Sequence, residues 1–115
     1  MQRIGIIGNG FVGNAVANGF KKTELEVLVY DIDESKSTHS FDDVVACDYV
    51  FVCLPTPMTH VEGGECNLSF VEKFFEGVGE SDSIFIIKST VPIGTTRKLQ
   101  EKYSQLNIVH NPEFL

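Results

Sequence analysis

The chain has 115 residues, 43% hydrophobic and 22% charged, which is the composition of a folded globular domain with room for a single core and argues against disorder. Sixteen acidic against nine basic residues give a net charge of −7. That balance argues against a nucleic-acid groove, which needs clustered Lys and Arg. No apolar run approaches the ~18 residues of a membrane span, and Met1-Gln2-Arg3 leads straight into a strand pattern without a signal peptide.

Strand and helix patterns alternate from the start. Arg3 to Gly8 is a short run dominated by β-branched residues, the pattern of a fully buried strand. From Phe11 the period changes, and Val12, Ala15, Val16, Gly19 and Phe20 fall on one helical face. Glu26 to Tyr30 reads as a second strand ending at Asp31. Ser35 to Ser40 is polar and weakly patterned, too short for a helix plus a strand, so a stunted or missing edge strand is expected there. Phe41, Val44 and Val45 suggest a short helix leading into Asp48. Tyr49 to Leu54 is the third strand, stopped by Pro55. Asn67 is placed to cap a helix burying Leu68, Val71, Phe74, Phe75 and Val78, with Gly77 and Gly79 at its end. Ile84 to Ile87 is a buried strand, Thr95 or Thr96 can cap a helix reaching about Tyr103, and Asn107 to Val109 is the last strand. Strands joined by helices at these intervals predict an α/β fold. It is a single-domain, Rossmann-type doubly wound parallel sheet with a shortened edge after the second strand.

Gly8-Asn9-Gly10-Phe11-Val12-Gly13 is a GxGxxG that follows a buried strand and opens a helix, with Asp31 at the end of the next strand. Each piece has a physical task. Gly8 permits the tight turn, Gly10 lets a pyrophosphate approach bare backbone, and Gly13 lets the helix lie close to the strand. The helix N-terminus offers unpaired N–H groups and a positive dipole end. Asp31 would accept hydrogen bonds from the adenosine ribose hydroxyls. A 2′-phosphate ~4 Å from that carboxylate would be repelled by about 4 kcal/mol per unit charge at an effective dielectric of 20, so NAD is favoured over NADP, with Lys36 near enough to soften the preference. The other reading of the same residues is an ordinary strand-to-helix turn and a solvated acid.

Ligands of open parallel sheets bind outside the carboxyl ends of the strands. Three such ends carry unusual residues: Pro55-Thr56-Pro57, Lys88 to Thr96, and His110 to Leu115. The prolines stiffen these loops and hold hydroxyls and a carboxylate at fixed places, although each loop alone is also compatible with ordinary turn chemistry.

Gly8–Gly13, Pro55-Thr56-Pro57, Lys88-Ser89-Thr90-Val91-Pro92-Ile93-Gly94-Thr95 and Asn111-Pro112-Glu113-Phe114-Leu115 resemble, in order, the motifs of the UDP-glucose/GDP-mannose dehydrogenase family. The resemblance covers the whole chain and the NAD-binding domain of such an enzyme. It implies oxidation of the C6 alcohol of a nucleotide sugar to a carboxylate in two NAD-dependent steps, through a cysteine-bound thiohemiacetal and thioester. By resemblance, Gly10, Phe11 and Val12 would contact the pyrophosphate and Asp31 the ribose, with Thr56 and Thr90 lining the nicotinamide side. By the same resemblance, Thr90 would also help to place water or substrate. Glu113 would be the general base of thioester hydrolysis. Phe114 and Leu115 would begin the stretch that contacts the nucleotide sugar.

The chain departs from the family pattern in two places. The long segment usual between the second strand and the following helix is nearly absent. The nucleophilic cysteine, the catalytic lysine, a second glutamate and the sugar-binding domain of the family lie beyond Leu115, so residues 1–115 are expected to bind NAD without turning over a sugar and to be a monomer or weak dimer. Cys47, Cys53 and Cys66 are an odd set without CxxC spacing, as expected of a cytoplasmic protein, and none sits where a thiolate is favoured. His39, His60 and His110 form no metal-binding spacing, and no metal is expected. A dinucleotide-binding module without chemistry and a β-hydroxyacid-type NAD dehydrogenase are the alternatives, the second disfavoured by Asn111–Leu115.

Overall fold

The structure, a computed structural model, describes residues 2–56 and 68–111, except for the side chain of Phe11. In chain order the elements are β1 (Arg3–Ile7), α1 (Phe11–Lys21), β2 (Glu26–Tyr30), a single 3-10 turn (Glu34–Lys36), α2 (Phe41–Val45), β3 (Tyr49–Val52), α3 (Ser69–Val78), β4 (Ile84–Ile87), α4 (Thr95–Lys102) and β5 (Asn107–His110). The five strands form one parallel sheet in the order β2-β1-β3-β4-β5, in register from Arg3 opposite Glu26 to Ile87 opposite His110. A six-stranded dinucleotide-binding sheet has the order 3-2-1-4-5-6. The present order is that one without the outermost strand, the one that would flank β2.

The polar segment after β2 replaces that strand. Ser37 Oγ accepts the Asp31 N–H at 2.8 Å and donates to the Asp31 carbonyl at 2.9 Å. Thr38 Oγ1 accepts the Val29 N–H at 2.9 Å, and the Thr38 and His39 N–H groups both donate to the Val29 carbonyl. The outward backbone groups of Val29 and Asp31 are thus satisfied by three residues and two hydroxyls instead of a strand. The expected stunted edge is therefore present, and its Ser and Thr residues are its working parts.

Side chains alternate across the sheet and feed two cores. On one face Ile4, Ile6 and Val29 pack with Ala17 of α1, flanked by Val16 and Phe20. On the other, Ile7, Leu28, Val50, Val52, Phe85, Ile87 and Ile108 meet Val44 of α2, Val71, Phe74 and Phe75 of α3, and Leu99 of α4. Phe74, Phe75 and Phe85 meet edge to face, and Phe41 bridges Tyr30 to Phe74 with centroids 5.5 and 5.8 Å apart. Gly5 is where α2 lies directly on β1, since a Cβ there would come 2.6 Å from the Val44 carbonyl oxygen.

Three details differ from expectation. The buried side of α1 is Gly13, Val16, Ala17 and Phe20, while Ala15 and Gly19 face solvent. The approach of Gly13 to the strand sets the helix rotation: a Cβ there would sit 1.8 Å from the Gly8 carbonyl oxygen. The cap of α4 is Gly94 at φ 88°, not a threonine, and Thr95 is buried as the first helical residue. Gly77 lies inside α3, which ends at Gly79 with φ 72°. Asn67, expected to cap α3, is outside the described residues.

Candidate functional site

The glycine turn joins β1 to α1 at the carboxyl end of the sheet, beside β2 and β3. Gly8 takes φ 92°, and a Cβ on it would come 2.6 Å from the Cys53 carbonyl oxygen, so only glycine fits. At Gly10 nothing lies within 4 Å of where a Cβ would be. The two outer glycines are thus required by the fold itself. Gly10 is not, and its bare backbone faces a cavity of about 880 Å³. No side chain caps α1, whose N-cap is Gly10, so the first-turn N–H groups are left for an outside acceptor. The residues fit an anionic, pyrophosphate-like group on these grounds.

Asp31 follows β2 and enters the same cavity. Its Oδ2 accepts the Asn9 N–H of the glycine turn at 2.7 Å and its Oδ1 accepts the Asp33 N–H at 2.9 Å. Asp33 caps the 3-10 turn, and hydrogen bonds from the Ser35 hydroxyl and N–H hold its carboxyl below the usual carboxylate range.

The loops after β3, β4 and β5 are stitched to one another. Thr56 Oγ1 donates to the Thr90 carbonyl at 2.6 Å, and Ser89 Oγ donates to the Leu54 carbonyl at 2.6 Å. His110 Nε2 lies 3.1 Å from the Ser89 carbonyl, and Lys88 Nζ reaches Asn111 Oδ1 at 3.5 Å. Ser89 is buried and Thr90 exposed. Gly8, Gly10, Val12, Asp31, Thr56 and Thr90 therefore line one cavity. Gly13 does not; it serves the helix–strand contact. Pro57, His60, Cys66, Glu113, Phe114 and Leu115 lie outside the described residues.

Three cavity residues lie outside the motifs and buried patterns that the sequence offers, Lys73 and two exposed apolar ones. Ile32 is 91% exposed and Phe70 46% exposed, and both stand on the cavity wall. The available signals are an apolar residue directly after the strand-end acid and a phenylalanine on the polar side of α3. Both give the cavity wall apolar surface, as ligand clefts generally have.

The cysteines that are described behave as packing residues. Cys47 is buried, and that burial, reinforced by Asp48 and opposed by Arg3, pushes its thiol up, away from the thiolate. Cys53 lies just past β3 rather than inside it, half-buried on the cavity wall. Among the described residues there is no metal-holding cluster, and no helix is long and apolar enough to cross a membrane.

Residues 35–115 match the UDP-glucose/GDP-mannose dehydrogenase family, NAD binding domain. The UDP-glucose 6-dehydrogenase of Campylobacter jejuni is 32% identical, the match covering 99% of this chain and 37% of that protein. The UDP-N-acetyl-D-mannosamine dehydrogenase of Methanococcus maripaludis is 30% identical over 87% of this chain and 26% of its own. Among solved structures, a UDP-glucose dehydrogenase from Pyrobaculum islandicum superposes with a TM-score of 0.79 at 25% identity, covering 100% of this chain and 36% of that one. The chain thus spans at most a little over a third of such relatives. The Campylobacter match runs over 149 positions although this chain has 115 residues, so the relative carries an insertion relative to it.

Proposed function

The chain belongs to the UDP-glucose/GDP-mannose dehydrogenase family, as its NAD binding domain, and on that footing we propose that it holds NAD for the oxidation of a nucleotide sugar at C6. The observation that carries the proposal is the convergence of bare Gly10, the uncapped start of α1 and Asp31 on one cavity. Membership in the family sets aside the β-hydroxyacid alternative.

In the proposed assignment, Gly8, Gly10, Phe11 and Val12 present backbone to the pyrophosphate, and Gly13 keeps α1 close enough to do so. Asp31 accepts the ribose hydroxyls. Thr56 and Thr90 stand on the nicotinamide side. The Thr56 hydroxyl donates to the Thr90 carbonyl, which ties the loop after β3 to the loop after β4 on that side. NAD, when bound, supplies the hydride acceptor. Glu113 is proposed as the base of the hydrolytic step and Phe114 and Leu115 as sugar-nucleotide contacts. Sugar oxidation draws on parts of the relatives outside the third that this chain spans, so residues 1–115 are proposed to bind the cofactor without turnover. Which sugar is oxidised stays at the class level, since relatives named for UDP-glucose and for UDP-N-acetylmannosamine both match.

Calorimetric titration with NAD and NADP tests the cofactor, and NADH appearance at 340 nm with each sugar nucleotide tests turnover. NAD binding tighter than NADP, with no turnover, is expected. Equal affinities would overturn the cofactor assignment. Steady turnover abolished in Thr90→Ala or Glu113→Gln would overturn the division of labour.

A further inference from the structure

Residues 31–38 are fastened more heavily than a connecting loop requires. Ser37 clasps both backbone groups of Asp31, closing the loop onto β2. A second closure comes from the glycine turn, where Asn9 Nδ2 donates to the Lys36 carbonyl at 2.9 Å. That contact leaves Asn9 Oδ1 buried with no partner. Turning the amide over would set Oδ1 against the Lys36 carbonyl, acceptor facing acceptor, so the orientation is determined by the contact. The glycine turn needs nothing from this side chain, because its own bond to Asp31 Oδ2 runs through the Asn9 backbone N–H. A smaller residue would avoid the orphaned oxygen and lose only the link to Lys36.

We propose that Asn9 is a positioning residue for cofactor recognition. Its amide pins the Lys36-bearing turn to the glycine turn, so the Asp31 carboxylate is held in one place and cannot swing aside for a 2′-phosphate. This does for the ribose-facing loop what an outer strand beside β2 would otherwise do. The inference rests on the NAD reading above, since it concerns discrimination within that site.

The test is calorimetry with NAD and NADP on the wild-type chain, Asn9→Ala, Ser37→Ala and the double variant, with amide hydrogen exchange on each ligand-free protein. Asn9→Ala is expected to weaken NAD about three- to tenfold, as for one lost hydrogen bond, and to weaken NADP less, so the preference narrows. Exchange at residues 33–38 should quicken while β1, β3 and β4 stay protected. Because both side chains fasten one loop, the double variant should lose less than the product of the single losses. Should Asn9→Ala fail to fold, Ser37→Ala is expected to show the same narrowing and carries the test. Unchanged NAD affinity in Asn9→Ala, or equal weakening of both cofactors in either variant, overturns the positioning role while leaving NAD binding intact. A wild-type chain that binds no NAD overturns the cofactor reading itself, and this inference with it.

Discussion

Each oxygen of Asp31 accepts one backbone N–H, from Asn9 and from Asp33, and keeps a further lone pair for a ribose hydroxyl. With the ribose proposed there, Asp31→Ala is expected to weaken NAD about tenfold or more, since bonds to a charged acceptor are the stronger kind. NADP should weaken less or gain, because the repulsion disappears together with the acceptor, and parallel titrations check it. Cys47 leads to a pH prediction. Burial raises its thiol, so the folded state keeps a proton that the unfolded chain releases near the ordinary thiol pKa of about 8.5. The stability held below that pH is therefore lost as pH rises through and beyond it. Melting temperatures from pH 7 to 10 should fall less steeply in Cys47→Ala than in the wild type. The placing of Gly8, Gly10 and Asp31 around one cavity is legible in the sequence because motif, strand end and spacing are all local. The tie from Asn9 to Lys36 is not, because no pattern marks an amide that reaches a backbone carbonyl 27 residues away.

The elements themselves are legible to within a residue or two, since β-branched runs and the helical period each report burial of one face. What escapes is rotation and capping. The rotation of α1 is decided by contact between Gly13 and Gly8 across the turn, information that a hydrophobic pattern averages away. Gly13→Ala should drive α1 off the strand, with a large fall in melting temperature or no folded protein by circular dichroism. The segment 35–40 reads as blank for a different reason. Its hydroxyls act on the flank of β2, and polar residues without a period give no hint of a backbone partner. In the second core, Phe75 is fully buried between Phe74, Phe85 and Tyr103. Phe75→Ala should destabilise the chain by about 3–5 kcal/mol in urea unfolding.

At the scale of the molecule, the three stitched loops and the glycine turn all lie at the carboxyl end of one sheet, where the reversal of strand order between β1 and β3 opens a crevice. The far end of the sheet is acidic, with Asp42, Asp48, Glu80 and Asp82 around a shallow hollow, and so repels an anionic cofactor from the wrong side. The two flanks of the sheet are unlike. On β2 the outward groups of Val29, and those of Asp31 just beyond it, are taken by Ser37, Thr38 and His39, whereas no described strand pairs with the outer side of β5, where Val109 is 47% exposed. Unpaired strand edges are what sheets use to recruit further chains. A sheet with both flanks open can add copies without end, but one with a single open flank has used up its valence after the first partner. Among the described residues, strand addition is therefore expected at the β5 flank and resisted beside Val29 of β2 and Asp31 just beyond it.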